Sequence, residues 1–235
     1  MPIASIAAQE QAWNRQQLEQ PVAAPLWRVW TYEQPALVLG CSQRALYERV
    51  PRSALSMEVL LRESGGGAVL TGPWLVSVSL VLPLGHAWLG QGLLESYRHL
   101  GQLHADALAE LGVVAMALPP LQIAGTQAAL AARGLPVLDW ACFGSLSPWE
   151  VVDAEGRKLV GLAQRRRQHG VLLVAGTLVT EPDWGLLCDA LGRPDTATQL
   201  RQRTASCACL LGGTLPSGKL ATALSRRLAH ALTDA

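Results

Sequence analysis

Two stretches of this chain carry residue types able to do chemistry. The first is Arg62-Glu63-Ser64-Gly65-Gly66-Gly67-Ala68, set between two runs that read as strands. Three consecutive glycines let the backbone turn tightly and bring main-chain amides to a ligand with no Cβ in the way. Successive N–H groups in such a turn can hold an anion, and Arg62 adds a fixed charge suited to phosphate or carboxylate. A flexible hairpin loop would satisfy the same residues. A P-loop is excluded because no Gly-Lys-Ser/Thr follows, and a dinucleotide fingerprint because no helix opens after the glycines. The second stretch is Gly156-Arg157-Lys158-Leu159-Val160-Gly161-Leu162-Ala163-Gln164-Arg165-Arg166. A lysine projecting from a strand into a half-buried pocket is a compact charge that can neutralise an oxyanion or shuttle a proton. A solvated turn residue is the alternative. Strand alternation puts Lys158, Val160, Leu162 and Gln164 on one face, with Gly161 and Ala163 on the other, outside the lysine's pocket.

The elements that must position these stretches are set by pattern. Helices are predicted over Ala7–Glu19, Gln43–Arg49, Gly92–Leu111, Pro182–Leu191 and Ala221–Leu232, with a helical turn over Gln127–Ala132. Strands are predicted at Leu26–Tyr32, Ala36–Leu39, Val59–Arg62, Trp74–Leu82, Leu121–Ile123 and Val171–Val179. Trp149–Val152 and Lys158–Gln164 flank Asp153-Ala154-Glu155-Gly156, which reads as a hairpin turn. Strands and helices interspersed with hairpins argue for a mixed α/β (α+β) sheet flanked by helices. With no repeat and no low-complexity linker, residues 1–235 read as one catalytic domain without an accessory domain.

Half of the 235 residues are apolar and 16% are charged, so a sizeable core is expected. A net charge of +1 gives no whole-protein field toward nucleic acid or an anionic membrane, and neither is expected as a partner. The longest apolar run, Trp74 to Leu84, is too short to span a bilayer, and residues 1–8 do not read as a secretory signal. A cytoplasmic protein is the expectation. The five cysteines form an odd set without a CxxC pair or accompanying His cluster, so no metal site is expected. Cys41, Cys188, Cys207 and Cys209 are expected as buried small apolar residues.

Several segments resemble the lipoate–protein ligase and octanoyltransferase family, over about Leu37 to Leu211. Arg62-x-Ser64-Gly65-Gly66-Gly67-Ala68-Val69 is similar to the family's Arg-Arg-x-Ser-Gly-Gly-Gly-x-Val loop, which lines its acyl and nucleotide pocket. Leu61 stands for the first Arg, and Thr71 for a His beyond the Val. The Lys158 segment resembles Gly-Lys-Lys-Ile-x-Gly-x-Ala-Gln-x-Arg, where the lysine holds the acyl carbonyl and its leaving group. Ala175-Gly176-Thr177-Leu178 looks like a His-Gly-Thr-Leu segment with its His replaced, so the pocket has altered something polar there. Arg201-x-Arg203-Thr204 resembles a stretch near the end of the catalytic domain. Cys142-Phe143-Gly144-Ser145-Leu146-Ser147-Pro148-Trp149-Glu150 resembles the Cys-Phe-x-x-Pro-Ser-x-Tyr-Glu segment of LipM-type octanoyltransferases, in which the cysteine is the acyl-thioester nucleophile. Leu146 and Trp149 depart from that pattern.

The resemblance implies a class II biotin/lipoate ligase-like catalytic fold. It implies an acyltransferase that moves an octanoyl or lipoyl group onto a lysine of a lipoyl domain or H protein, with acyl-carrier protein as donor. Cys142 and Lys158 are then the catalytic residues, and Lys158 is expected to be removable without harm to the fold. Arg62, Ser64, Gly65, Gly66, Gly67, Ala68, Gly161, Ala163, Gln164, Gly176 and Thr177 are the acyl-binding ones. A thiolate suits this reaction because thioester-to-thioester transfer is near-neutral in energy. No tightly bound cofactor is implied. The alternatives are an ATP- and Mg-dependent ligase forming an acyl adenylate, and a non-catalytic relative that binds an acyl group or a lipoylated domain. Lack of the ligase-type Asn-Asp pair near Cys142 favours the transferase. A biotin ligase would carry Gly-Arg-Gly-Arg, which is absent. Arg165, Arg166 and Arg167 are read either as a patch for an acidic partner or as a solvated loop.

Overall fold

The computed structural model describes residues 4–52, 55–90 and 92–233. Two sheets and the helices around them make up the fold, and the larger sheet carries the core. Its six strands run in the order β1 (Leu26–Thr31), β5 (Leu75–Leu82), β9 (Gly170–Leu178), β8 (Lys158–Arg167), β7 (Val151–Val152) and β6 (Met116–Ala117), all pairs antiparallel. The smaller sheet sets β2 (Ala36–Leu39) between β3 (Glu58–Leu61), parallel, and β4 (Val69–Thr71), antiparallel. The fold is the mixed α/β arrangement expected, with helices flanking the sheet.

Strand β5 is buried along its whole length, as its alternation of apolar and small residues requires. One face of the large sheet presents Val78 and Leu80. Long amphipathic helices α3 (Leu93–Glu110) and α8 (Ser217–Thr233) cover that side, with Leu100, Ala107, Leu108, Leu220, Leu224 and Leu228 fully or nearly fully buried. The opposite face presents Ser77 and Ser79, and α1 (Ile6–Leu18) lies across it. Helix α1 starts at Ser5, whose hydroxyl accepts from the Ala8 amide and so satisfies one unpaired donor of the first turn. Its inward face is unusual: Ala7 and Leu18 bracket Glu10, Gln11 and Asn14, all buried.

Most predicted elements are present with ends shifted by a residue or two, and three differ in kind. Leu121–Ile123 is not a strand. Pro120–Gln122 is a 3-10 turn leading into helix α4 (Ile123–Ala132), with Leu121 98% exposed where a strand would have buried it. Trp149 stands outside β7 at a positive φ of 66°, so the hairpin's first arm is only Val151–Val152. The turn itself is as read: the Asp153 carboxylate accepts from the Glu155 and Arg157 amides, and Gly156 takes φ 76°. The third difference is the face of Lys158. Val151 pairs with Val160 but Val152 pairs with Lys158, so Leu159 is an extra residue in β8. Such a bulge inverts the alternation below it. Lys158 therefore shares a face with Gly161 and Ala163 instead of opposing them. Helices α5 (Trp184–Ala190), α6 (Ala197–Arg203) and α7 (Cys207–Leu211), α2 (Arg44–Arg49) and the short strands β4 and β6 complete the described chain. No described helix is long and apolar enough to cross a membrane.

The glycine loop docks through backbone contacts. A Cβ on Gly40 would lie 1.9 Å from the Gly66 carbonyl oxygen, and one on Gly67 would lie 2.6 Å from the Ala141 carbonyl carbon. Gly40 has an ordinary φ of −69°, so its requirement is room alone. Gly40→Ala is expected to lower stability by about 2–3 kcal/mol through overpacking against rigid backbone. Guanidinium unfolding would read this as a drop in midpoint with unchanged slope. An unaltered midpoint would show that the loop can lift off β2 at no cost.

Candidate active site

Cys142 opens a single 3-10 turn, Cys142–Gly144, that lies across the end of the glycine loop. The Ala68 amide donates to the Trp140 carbonyl at 2.8 Å, and the Cys142 amide donates to the Ala68 carbonyl at 2.8 Å. Arg62 fastens the other side of the loop, its guanidinium donating to the carbonyls of Gly65 and Gly67 at 2.8–3.2 Å. A Cβ on Gly66, at φ 94°, would press within 2.8 Å of that guanidinium. Arg62 is therefore a bracket for the loop rather than a charge held out to a ligand.

Lys158 closes the site from the sheet. Its ammonium donates to the Cys142 carbonyl at 2.6 Å and to the Ser145 carbonyl at 3.1 Å, and pairs with Glu150 Oε1 at 2.6 Å. Lys158 and Glu150 side chains are each only 2% exposed, so the lysine is not a solvated turn residue. Glu150 also accepts from the Ser147 amide at 2.7 Å and the Leu162 amide at 3.1 Å. Burial pushes its carboxyl above the usual range, against the pull of Lys158 and the two amides. The Lys158 backbone is held in turn by the segment at the end of α6. The Ala205 amide donates to the Lys158 carbonyl, and Arg203 is anchored on the Leu135 and Pro136 carbonyls. Sequence reasoning did not place Glu150 in the site. The signal lay in its fixed spacing after Cys142 and in the improbability of a buried lysine without a carboxylate.

The half-buried Cys142 faces a narrow cleft of about 50 Å³ that opens to solvent. Its floor is a row of facing residues on adjacent strands: Gly161 on β8 opposite Gly176 on β9, and Gly176 opposite Ser77 on β5. A Cβ on Gly161 would lie 3.2 Å from Cys142 Sγ, 3.3 Å from Lys158 Cε and 3.6 Å from Lys158 Nζ, so that glycine makes the space in which thiol and lysine meet. Leu162, Ala163, Val174, Phe143, Leu75 and Val38 give apolar walls. The far part is polar. Glu10 accepts from the Tyr32 hydroxyl at 2.7 Å and from Ser79, and Gln11 and Asn14 border the same space. Burial raises the Glu10 carboxyl to about 7, although Tyr32, Arg62 and Ser79 pull it down.

Of the sequence-predicted site residues, Arg62, Ser64, Cys142, Gly161, Ala163 and Gly176 line this cleft. Gly65, Gly66, Gly67 and Ala68 lie behind it, as the bracket that carries Cys142. Two residues are on the wrong side for acyl contact. Gln164 accepts from Ser96 of α3, and Thr177 faces away from Gly176 by strand alternation. Both belong to the helix-covered face. Thr71, at the position of the family's histidine, lines the cleft but donates its hydroxyl to the Ala36 carbonyl. The expectation of four buried cysteines holds for Cys188 and Cys207; Cys41 is half-buried and Cys209 exposed. No cluster of three metal-ligating side chains is present among the described residues.

A family model for the lipoyl protein ligase A/B catalytic domain matches residues 2–224. The chain belongs to this family. Octanoyltransferase LipM of Kyrpidia tusciae is 32% identical over 217 residues, covering 88% of this chain and 76% of that protein. Octanoyltransferase LipM of an Exiguobacterium species is 30% identical over 177 residues, and there the match covers 61% of the relative's length. Among solved structures, lipoate-protein ligase A bound with ATP superimposes with a TM-score of 0.65 at 19% identity, covering 95% of this chain and 79% of that one. An archaeal bi-partite lipoate protein ligase from Thermoplasma acidophilum, studied with its E2 lipoyl domain, gives 0.66 at 16% identity, covering 99% and 82%. These two establish the ligase fold for the chain.

The buried charges of this family member carry testable consequences. The expectation that Lys158 is removable without harm to the fold fails on its burial against Glu150. Lys158→Met should cost about 3–5 kcal/mol by stranding a buried carboxylate, and Lys158→Met with Glu150→Gln should regain most of it. Equal stability of the two variants in urea would remove the pair from its structural role. Glu10 provides the second case. Its folded pKa exceeds the unfolded one, so its contribution to stability is fully present below about pH 4.5 and is lost as pH rises through about 7. The loss is on the order of 3 kcal/mol. Subtracting the stability–pH curve of Glu10→Gln from that of the parent should isolate this slope, and a flat difference between those limits would refute it.

Proposed function

We propose that this chain is an acyltransferase in which Cys142 accepts an octanoyl or lipoyl group as a thioester and passes it to a lysine of a lipoyl-domain or H-protein acceptor. The observation that carries the reading is the thiol itself, half-buried over the Gly161 floor with the Lys158–Glu150 pair tying down the turn that bears it. In the first half-reaction Cys142 sulfur attacks the donor's thioester carbonyl. The C–S bond to the donor breaks, and the donor leaves as a thiol with the proton Cys142 gave up. In the second, the acceptor lysine amine attacks the Cys142 thioester, an amide forms, and the Cys142 thiol is restored with a proton from the amine. No oxidant or nucleotide enters either step.

The Lys158 ammonium already serves three acceptors. It acts on the reaction as a positioning residue: it fixes the Cys142 turn and sets a positive charge beside the attacking group. A donor with acidic surface and a phosphate-bearing arm suits the groove next to the cleft, where Arg15, Arg44, Arg165 and Arg167 gather around Arg62 with Glu63 between them. That is the chemistry of an acyl-carrier protein, and with such soluble partners we infer a cytoplasmic setting. The same groove supports a second reading, in which ATP and magnesium form an acyl adenylate there.

Intact mass after incubation with octanoyl-carrier protein, without ATP, separates the readings. One octanoyl group should be gained, reversed by hydroxylamine, lost in Cys142→Ser, and retained when Cys41, Cys188, Cys207 or Cys209 is replaced by serine. An adduct that survives Cys142→Ser, or transfer seen solely with free octanoate and ATP, would sink the thioester route.

A further inference from the structure

The polar end of the cleft differs in kind from its middle. Gln11 Oε1 and Asn14 Oδ1 are buried, border the cleft and have no hydrogen-bond partner. Asn14 is 2% exposed and Gln11 8%. They stand beside Glu10, whose carboxyl already accepts from Tyr32, Gln11 Nε2 and Ser79. Two unpartnered acceptors on the wall of a largely apolar slot are unfavourable when empty or facing a methyl group. They suit a ligand atom that carries a proton.

Distance along the floor says which atom of the acyl chain arrives there. From Gly161, under Cys142 Sγ, to Ser77 is two strand spacings through Gly176, roughly 10 Å at about 4.8 Å each. An extended eight-carbon chain leaving the sulfur reaches roughly 9 Å, given C–C bonds of about 1.5 Å. Its far carbon then lies by Ser77, on the stretch of β5 that α1 meets through the Ser79–Glu10 hydrogen bond, with Gln11 and Asn14 lining the same cleft. The two glycines and the Leu75, Val38 and Val174 walls accompany its middle.

We propose that this cleft, while accepting a plain eight-carbon chain, prefers one that carries a hydrogen-bond donor at its far end, a hydroxyl or thiol seated on Gln11 and Asn14. This rests on the acyl-transfer reading of the same cleft. A site built to hydrogen-bond a substrate group rejects the analogue lacking it, because its own buried acceptors stay unpaired. A plain octanoyl chain is then the poorer substrate.

The test is competition between octanoyl- and 8-hydroxyoctanoyl-carrier protein for Cys142, read by intact mass. The hydroxylated chain should acylate at least about tenfold faster. Gln11→Leu with Asn14→Leu should abolish or reverse that preference while raising the melting temperature, since two unpaired polar groups leave the interior. Equal rates, or faster octanoylation of the parent protein, would overturn the inference and leave the amides to a buried water. Should neither donor form an adduct, the transfer reading falls first. The free acids then decide the cleft's preference through thermal shifts of Cys142→Ser protein. A larger shift with 8-hydroxyoctanoate supports the polar terminus, and an equal or smaller one overturns it.

Discussion

Lys158 and Glu150 meet at 2.6 Å with neither side chain more than 2% exposed, and the geometry around Cys142 depends on that pair. Taking two charges out of water costs several kcal/mol for each ion, and their attraction offsets this only when the remaining hydrogen-bonding positions are filled. Here they are filled by backbone. The lysine takes the Cys142 and Ser145 carbonyls, and the carboxylate takes the Ser147 and Leu162 amides. The same bonds that neutralise the pair tie the thiol's turn to β8. Position and electrostatics are therefore one interaction, and a shift of the turn would unpair a buried charge. The bulge at Leu159 is a condition for it, since without that extra residue Lys158 would face α3.

Around this pair the site is shaped by missing side chains. Gly161 and Gly176 leave the floor bare, Gly40 lets the glycine loop lie against β2, and Gly67 lets it touch the Cys142 segment. Gly161, Gly40 and Gly67 are close approaches of backbone to backbone or to a reacting group, where a methyl would crowd its neighbours, while one on Gly176 would only fill cleft space beside Leu75. The three-glycine run thus serves less as a cradle for an anion than as the rail that carries Cys142. Arg62 supports this, with its guanidinium turned onto the loop's own carbonyls.

How much of this is legible in the sequence depends on the length and regularity of each signal. Helices α3 and α8 and strands β5 and β9 are readable because their apolar periodicity runs for eight residues or more. The Asp153–Gly156 turn is readable from residue types alone. The features that escape are short or inverted. Strands β4 and β6 are two or three residues long, and α6 and α7 seven and five. Leu121 looks like a strand residue because an exposed leucine and a buried one are the same letter. The facing of Lys158 depends on a bulge that only pairing partners reveal. The inward side of α1 is hidden for the opposite reason. Its buried residues Glu10, Gln11 and Asn14 are the letters a reader assigns to solvent.

The contrast between the two ends of the cleft is itself informative. Around the Lys158–Glu150 pair polar burial is balanced: three lysine protons meet three acceptors, and both carboxylate oxygens are bonded. Such a network fixes a geometry and asks nothing of a ligand. At the α1 end two amide oxygens stay unpaired, each costing about 1–3 kcal/mol against a typical domain stability of about 5–15 kcal/mol. Apolar residues at those two positions of α1 would remove the cost without changing the helix. A local choice that works against folding, placed on the wall of the site, fits a role in holding the polar end of a ligand.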